Sequence, residues 1–394
     1  MKNFIPFALP DIDSQDIAEV VDTLRSAWIT TGKKTKLFEK NFANYIGTKY
    51  TLAVNSGTSG LHLALECIGL KRGDKVITTP YTFTATAEVI TYFGADPIFI
   101  DIEEKTLNID PQKIRIFCEN ECIFQDNVLY HKKTNSPIKA IIPVHIAGES
   151  CNMDEILNIA KQYHLKVIED AAHALPAFYK GRRIGTLSDI TVFSFYATKP
   201  ITTAEGGMVV TNISKYYERM KIMSLHGIDR DTWDRYSSEI PRWHYEVVDS
   251  GFKYNMTDIA ASLGIQQLKK VDSFYQKRKW IASLYNKELH HISDIELPHF
   301  KEDHSWHLYI IKLNSKRLSR DEIIKKMFER GIGVSVHFIP LHLHPYYRNK
   351  YHYVCESFPE AYRAFQKTMS LPIYTKLTEE NVYKVINTLK DIMT

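Results

Sequence analysis

At 394 residues the chain is longer than one hydrophobic core usually organises, so two domains are expected. An apolar share of 44% and a charged share of 24% exclude a disordered, collagen-like or low-complexity polypeptide. Fifty Lys and Arg against 46 Asp and Glu leave a formal charge of +4, too small and too scattered for a nucleic-acid surface; small anions are the charged partners to expect.

The N-terminal stretch MKNFIPFALPDIDSQ has no apolar run of signal-peptide length, and no uncharged run approaches the ~20 residues that cross a bilayer. A cytoplasmic protein with no membrane partner is therefore expected. The five cysteines (67, 118, 122, 151 and 355) form no CxxC pair, so neither a disulfide framework nor a metal site is suggested.

From about residue 50, short apolar runs alternate with helix-like segments, the pattern of parallel βαβ units. The predicted strands are Thr51–Val54, Lys75–Thr78, Ile98–Asp101, Ile138–Val144, Lys166–Glu169, Ile190–Ser194 and Gly207–Thr211. Predicted helices are Thr58–Cys67, Met153–Tyr163 and the segment after Ser214. Little polar alternation within the strands implies helices on both faces, an α/β sandwich. The polar stretch Phe117–Pro137 reads as an insertion forming a solvated loop, and residues 228–256 as a long aromatic loop or domain junction. Beyond Thr257 a long helical period is followed by two expected strands, HLYIIKL and GVSVHFI, and helices at Arg320–Arg330, Pro359–Thr368 and Glu379–Met393. The expected division is a large α/β domain over 1–250 and a smaller α+β domain over 251–394.

Three constellations carry chemistry. Asn55-Ser56-Gly57-Thr58-Ser59-Gly60 lies between a strand and a helix, where free backbone N–H groups make a phosphate cradle; an ordinary helix N-cap is the equal alternative. In Val167-Ile168-Glu169-Asp170-Ala171-Ala172-His173 a buried-looking strand ends in a carboxylate suited to a cationic ring nitrogen, or to a helix cap. Lys199, in SFYATKPITTAEGG, stands in an almost uncharged stretch between two strands, where desolvation frees an amine for attack on carbonyl carbon. A phosphate loop, a carboxylate and a lysine in that order are the requirements of pyridoxal 5′-phosphate (PLP).

With those residues the sequence resembles the fold-type I aminotransferases, specifically the DegT/StrS-like enzymes acting on nucleotide-linked keto-sugars. The resemblance runs from Trp28-Ile29-Thr30-Thr31-Gly32 to Ser370-Leu371-Pro372-Ile373 through NSGTSGLHLAL, TPYTFTATA, IIPVHIAG, VIEDAAHA, GFKYNMTDI and HSWHLYII. It implies a large, mostly parallel α/β domain with a smaller C-terminal one, PLP bound by Lys199, and Lys199 as the acid and base of proton transfer. Asp170 would meet the ring nitrogen, Phe83 and His173 the ring, and Gly57, Thr58 and Ser194 the phosphate. Asn255 matches a residue that reaches the phosphate from a neighbouring subunit, which implies a homodimer. Thr31 and His337 would contact substrate, although the run HFIPLHLHPYY around His337 is equally a turn packed with aromatics.

The wording SFYATK-x-ITT-x-EGG resembles members that aminate C4 of UDP-linked 4-keto-sugars for glycan biosynthesis, with an amino acid such as L-glutamate as donor. Pro200 and Ala204 depart from the commoner Asn and Gly, which puts the local backbone fit in question. A PLP-dependent sugar dehydratase and a non-catalytic sensor of the same fold are the alternatives; the lysine stands against the first and the intact set against the second.

Overall fold

The computed structural model describes residues 4–229 and 245–393. Most of the expected loop over 228–256 therefore lies outside the described residues.

A nine-stranded sheet forms the centre. Its strands are β1 (Tyr50–Val54), β2 (Lys75–Thr78), β3 (Asp96–Phe99), β4 (Cys122–Gln125), β5 (Val128–His131), β6 (Ser136–Ile141), β7 (Lys166–Asp170), β10 (Ile190–Ser194) and β11 (Gly207–Thr211). A small ladder of β8 (Phe178–Tyr179) and β9 (Arg182–Arg183) intervenes. The main path runs β1-β11-β10-β7-β6-β2-β3. From β3 to β10 every pairing on it is parallel; β11 runs antiparallel to both β10 and β1.

The period of two in the strands divides the core. Val192 and Val209 face α3 (Gly57–Cys67), whose Leu61 and Leu65 join their cluster, while Phe193, Met208 and Val210 face Phe38 and Phe42 on the opposite side. Phe38 and Phe42 belong to α2 (Lys33–Ile46), which together with α1 (Ser14–Arg25) packs against the long α8 (Asp258–Leu289). Each fully buried Leu, Val or Phe contributes about 1.5–3 kcal/mol by leaving water. The remaining helices of this part are α4 (Ala85–Thr91), α5 (Pro111–Glu121), α6 (Met153–Gln162) and α7 (Ser214–Met223).

A second core surrounds the antiparallel sheet of β12 (Ile295–Glu296), β13 (Tyr309–Leu313) and β14 (Thr368–Leu371). α9 (Arg320–Glu329) and α12 (Glu379–Met393) complete it, while α10 (Pro345–Tyr351) and α11 (Pro359–Lys367) pack through Tyr347, Ala361 and Ala364 into a neighbouring cluster with Phe99 of β3 and Ile310 of β13. The far end of α8 enters this core through Ile281, Tyr285 and Leu289. The N-terminal segment joins it too: Ile5 N–H donates to Gly331 O at 2.8 Å, and Gly333 N–H donates to Ile5 O at 2.8 Å.

Two expectations are corrected. The insertion is not a loop: β4 and β5 form a hairpin, and β5 pairs with the start of β6. Nor is GVSVHFI a strand: it makes single bridges, Ile332 to Ile5 just before it and Ser335 to Ser370 within it. Each neighbour runs alongside for one residue pair, too little for a ladder. No helix among the described residues is long and apolar enough to cross a membrane.

Candidate active site

A cavity of about 540 Å³ opens at the C-terminal ends of β7 and β10, beside the N-terminus of α3. It is lined by Gly57, Thr58, Phe83, Asp170, His173, Ser194, Lys199 and His337, eight of the ten residues singled out from sequence. The other two, Thr31 and Asn255, do not line it. They bond each other instead: Asn255 Nδ2 donates to Thr31 Oγ1 at 2.6 Å, and Thr31 Oγ1 donates to Met256 O at 2.5 Å.

At the α3 end, cap and cradle coexist. Ser56 caps the helix by accepting from Ser59 N–H at 3.0 Å, and Ser59 Oγ accepts from Ser56 N–H at 3.1 Å. The Gly57 and Thr58 amides, first in the helix, have no carbonyl one turn back to bond, so they and the positive end of the helix remain for an anion. Backbone crowding makes this loop specific for glycine across the sheet. A Cβ on Gly207 would stand 2.8 Å from Gly57 N and from Ser56 C and O.

Asp170 ends β7 at the floor of the cavity and is buried. Its Oδ2 accepts from Thr86 Oγ1 at 2.8 Å and its Oδ1 from Ala172 N–H at 3.1 Å, which fixes the carboxylate plane. Thr86 is in turn held by Thr82 Oγ1 at 2.8 Å, an i,i+4 pair leading into α4.

Lys199 lies in the turn between β10 and β11, its N–H donating to Tyr196 O at 2.9 Å. Its side chain is packed by protein on most sides and reaches the cavity on the other. Burial brings its pKa down from 10.5 to about 8, against the opposing pull of Asp170. Ala204, in the same turn, sits at φ 67°, the left-handed region that favours glycine, which explains why its departure from the commoner residue matters locally.

Three imidazoles surround the lysine and all are kept neutral. Burial, then the charges of Lys199 and His337, hold His173 well below 6.5. Burial and Lys199 bring His337 to about 4, while burial, with His173 and Lys199 next, holds His307 well below 6.5. His173 Nδ1 accepts from Ala147 N–H at 3.3 Å, so the neutral ring carries its proton on Nε2. Phe83, 60% exposed, turns an apolar face to the cavity that a flat ring would cover.

Several contributors were not singled out from sequence. His307, in HSWHLYII, lines the cavity with Phe7 and Phe338. Beneath the floor, His145 and Glu169 form a fully buried pair, Nε2 to Oε2 at 2.8 Å. Their partnership spans 24 positions and leaves no local signal; for Thr86, the Thr-x-x-x-Thr spacing was the available clue.

Comparison with known proteins adds an independent line. The sequence profile of the DegT/DnrJ/EryC1/StrS aminotransferase family matches residues 10–390. The uncharacterised protein MJ1066 of Methanocaldococcus jannaschii is 49% identical over 100% of this chain and 98% of its own length. The spore coat polysaccharide biosynthesis protein SpsC of Bacillus subtilis is 42% identical, with the same coverage of both chains. Among solved structures, Spr1654 of Streptococcus pneumoniae, assigned as a sugar aminotransferase and solved in its PMP form, superposes with a TM-score of 0.88 at 35% identity, covering 99% of each chain. A PLP form of the same protein superposes equally, at 34% identity.

Proposed function

This chain belongs to the DegT/DnrJ/EryC1/StrS aminotransferase family, and from that premise we propose that it is a PLP-dependent enzyme moving an amino group from an amino acid such as L-glutamate to a nucleotide-linked 4-keto-6-deoxy sugar. The UDP-linked sugar is the preferred acceptor in this reading, and the product is a 4-amino sugar for polysaccharide synthesis, in keeping with the name of SpsC. A homodimer in the cytoplasm completes it, with Asn255 of one copy serving the phosphate in the other.

The observation that carries the reading is the convergence of the α3 amides, the Asp170 carboxylate and the desolvated Lys199 on one cavity. PLP fits those groups: Gly57, Thr58 and Ser194 would hold its phosphate, Asp170 would meet its ring nitrogen, and Phe83 and His173 would border its ring. When bound, it supplies an aldehyde carbon that accepts and releases the amino group and a ring that takes up electrons. Asp170, buried and doubly hydrogen-bonded, keeps the ring nitrogen protonated by its negative charge. Lys199 Nζ, which releases its proton far below the usual lysine range, would take the proton from the donor's α-carbon and later deliver one to the sugar carbon. The neutral imidazoles of His173, His307 and His337 offer hydrogen bonds without competing for that proton. Both half-reactions share one site, so the kinetics are ping-pong.

The test is spectroscopic. The PMP form of the purified protein is titrated with UDP- and dTDP-linked 4-keto-6-deoxy sugars. Return of the PLP absorbance with the UDP sugar at the lower concentration is expected; no return with either refutes the assignment.

A further inference from the structure

Six rings lining the cavity touch one another as a single set. Phe83 meets Phe338 at 6.3 Å between centroids, Phe338 meets His173 at 5.9 Å, and His173 meets His307 at 4.5 Å. From Phe338 a second branch leads to His337 at 5.1 Å and on to Phe7, stacked on His337 at 5.3 Å with 29° between planes. Phe83 and His173 are accounted for by the cofactor. The branch through Phe338, His337 and Phe7 is not.

That branch is built rather than incidental. Phe7 comes from the far N-terminus, and the paired bonds of Ile5 to Gly331 and Gly333 pin its backbone two residues away. His337 is fixed from behind: its Nδ1 pairs with Ser370 Oγ at 2.9 Å, and its carbonyl accepts from Tyr81 Oη at 2.7 Å. The resulting wall is aromatic, with its one titratable ring kept neutral, so it offers no positive charge to an anionic diphosphate. It does offer a fit to C–H bonds, since aromatic faces pack against apolar edges. In a 4-keto-6-deoxy sugar the C6 methyl is attached to C5, the neighbour of the carbon that must reach Lys199. The methyl therefore lies within two bonds of the reacting atom, inside the reach of rings that border the lysine.

Resting on the acceptor class given above, we infer that Phe7 and Phe338, with His337 between them, receive the methyl-bearing edge of the sugar, and that Phe7 sets the preference for a 6-deoxy over a 6-hydroxy 4-keto-sugar. A C6 hydroxyl placed against the phenyl rings of Phe7 and Phe338 would lose its water without gaining a partner. An apolar pocket of this kind discriminates by about tenfold to a hundredfold.

The experiment separates the half-reactions in holoenzyme of wild type, Phe7→Ala and Phe7→Tyr. Conversion of the PLP form by L-glutamate is followed first, then conversion of the PMP form by UDP-4-keto-6-deoxyglucose and by UDP-4-ketoglucose. For Phe7→Ala the donor half-reaction is expected within about twofold of wild type, with the acceptor preference reduced about tenfold or more. Phe7→Tyr keeps the ring, guards against a folding defect, and by offering a hydroxyl shifts the preference toward the 6-hydroxy sugar. Equal loss in both half-reactions, or an unchanged acceptor preference in both variants, overturns the inference while the substrate class stands. If wild type responds to L-glutamate but to neither sugar, the substrate class itself falls and the inference with it.

Discussion

Replacing Glu169 by Gln removes one charge from a fully enclosed polar network. Glu169 and His145 have no exposed side-chain surface. Glu169 Oε1 accepts from Ser188 Oγ at 2.6 Å and Thr191 Oγ1 at 2.8 Å, and Oε2 accepts from His145 Nε2. Because Cys151 N–H donates to His145 Nδ1 at 3.1 Å, the ring proton must be on Nε2. A Gln side chain can keep its oxygen toward the two hydroxyls, but its NH₂ then faces His145 Nε2–H. Moving the ring proton to Nδ1 only transfers the conflict to the Cys151 amide. Turning the amide round points its oxygen at His145 and its NH₂ at the two hydroxyls, where Ser188 Oγ can accept while donating to Ile190 O at 3.0 Å; no N–H is then opposed, but the charge-assisted bonds are lost, at about 1–3 kcal/mol. The expected destabilisation is about 1–3 kcal/mol, since no uncompensated charge is left behind. Urea unfolding of both proteins, compared at matched slope, measures it. The pH dependence gives a second check. Burial alone would raise the Glu169 pKa, but His145 and the two hydroxyls outweigh it and hold the value below 4.5. Its contribution is present above that range and lost as pH falls through the depressed folded value, so the Gln variant should lack that part of the acid slope. A loss under about 1 kcal/mol would refute the assignment of a charged Glu169.

Three further outcomes are expected. In cofactor-free protein, acylation of Lys199 should rise with a midpoint near pH 8, and Asp170→Asn should move that midpoint lower by removing the charge that retains the proton; a midpoint above 10, read by peptide mass, contradicts the buried environment. Gly207→Ala should separate β11 from the α3 loop and weaken cofactor retention on dialysis, because the added carbon meets immobile backbone at 2.8 Å; full retention with unchanged stability would count against the cradle. Ala204→Gly should stabilise the protein by up to about 1 kcal/mol in thermal unfolding, since φ 67° penalises a Cβ; a loss of stability would mean the turn gains more from a restricted unfolded chain.

Much of this was legible in the linear sequence because it is local. Strand ends at Asp170 and Ser194, the helix opening at Gly57 and the uncharged setting of Lys199 each announce themselves within a dozen residues, and parallel topology gathers strand ends at one edge. What stayed hidden depends on distant pairing. The hairpin β4–β5 read as a loop because its strands are only four residues long and stand in a mostly polar stretch, and its partner is the start of β6. Phe7 reaches the cavity only because Ile5 pairs with residues more than 300 positions away, and no periodicity near the N-terminus encodes that. His307 belongs to a run that reads as a buried strand, and it is brought to the cavity by Leu308 N–H donating to Ala147 O at 3.1 Å and Ser305 N–H to Gly148 O at 3.0 Å, in the loop that follows β6.

The central claim is that an amino group passes from an amino acid to a nucleotide-linked 4-keto-sugar with Lys199 moving the protons. Incubation of wild type and Lys199→Ala with heavy-nitrogen L-glutamate and UDP-4-keto-6-deoxyglucose, followed by mass spectrometry of the nucleotide sugar, tests it most directly. The account predicts a 4-amino sugar containing the heavy nitrogen with wild type and none with the variant. A deoxygenated product without nitrogen, or equal labelling by Lys199→Ala, would contradict it.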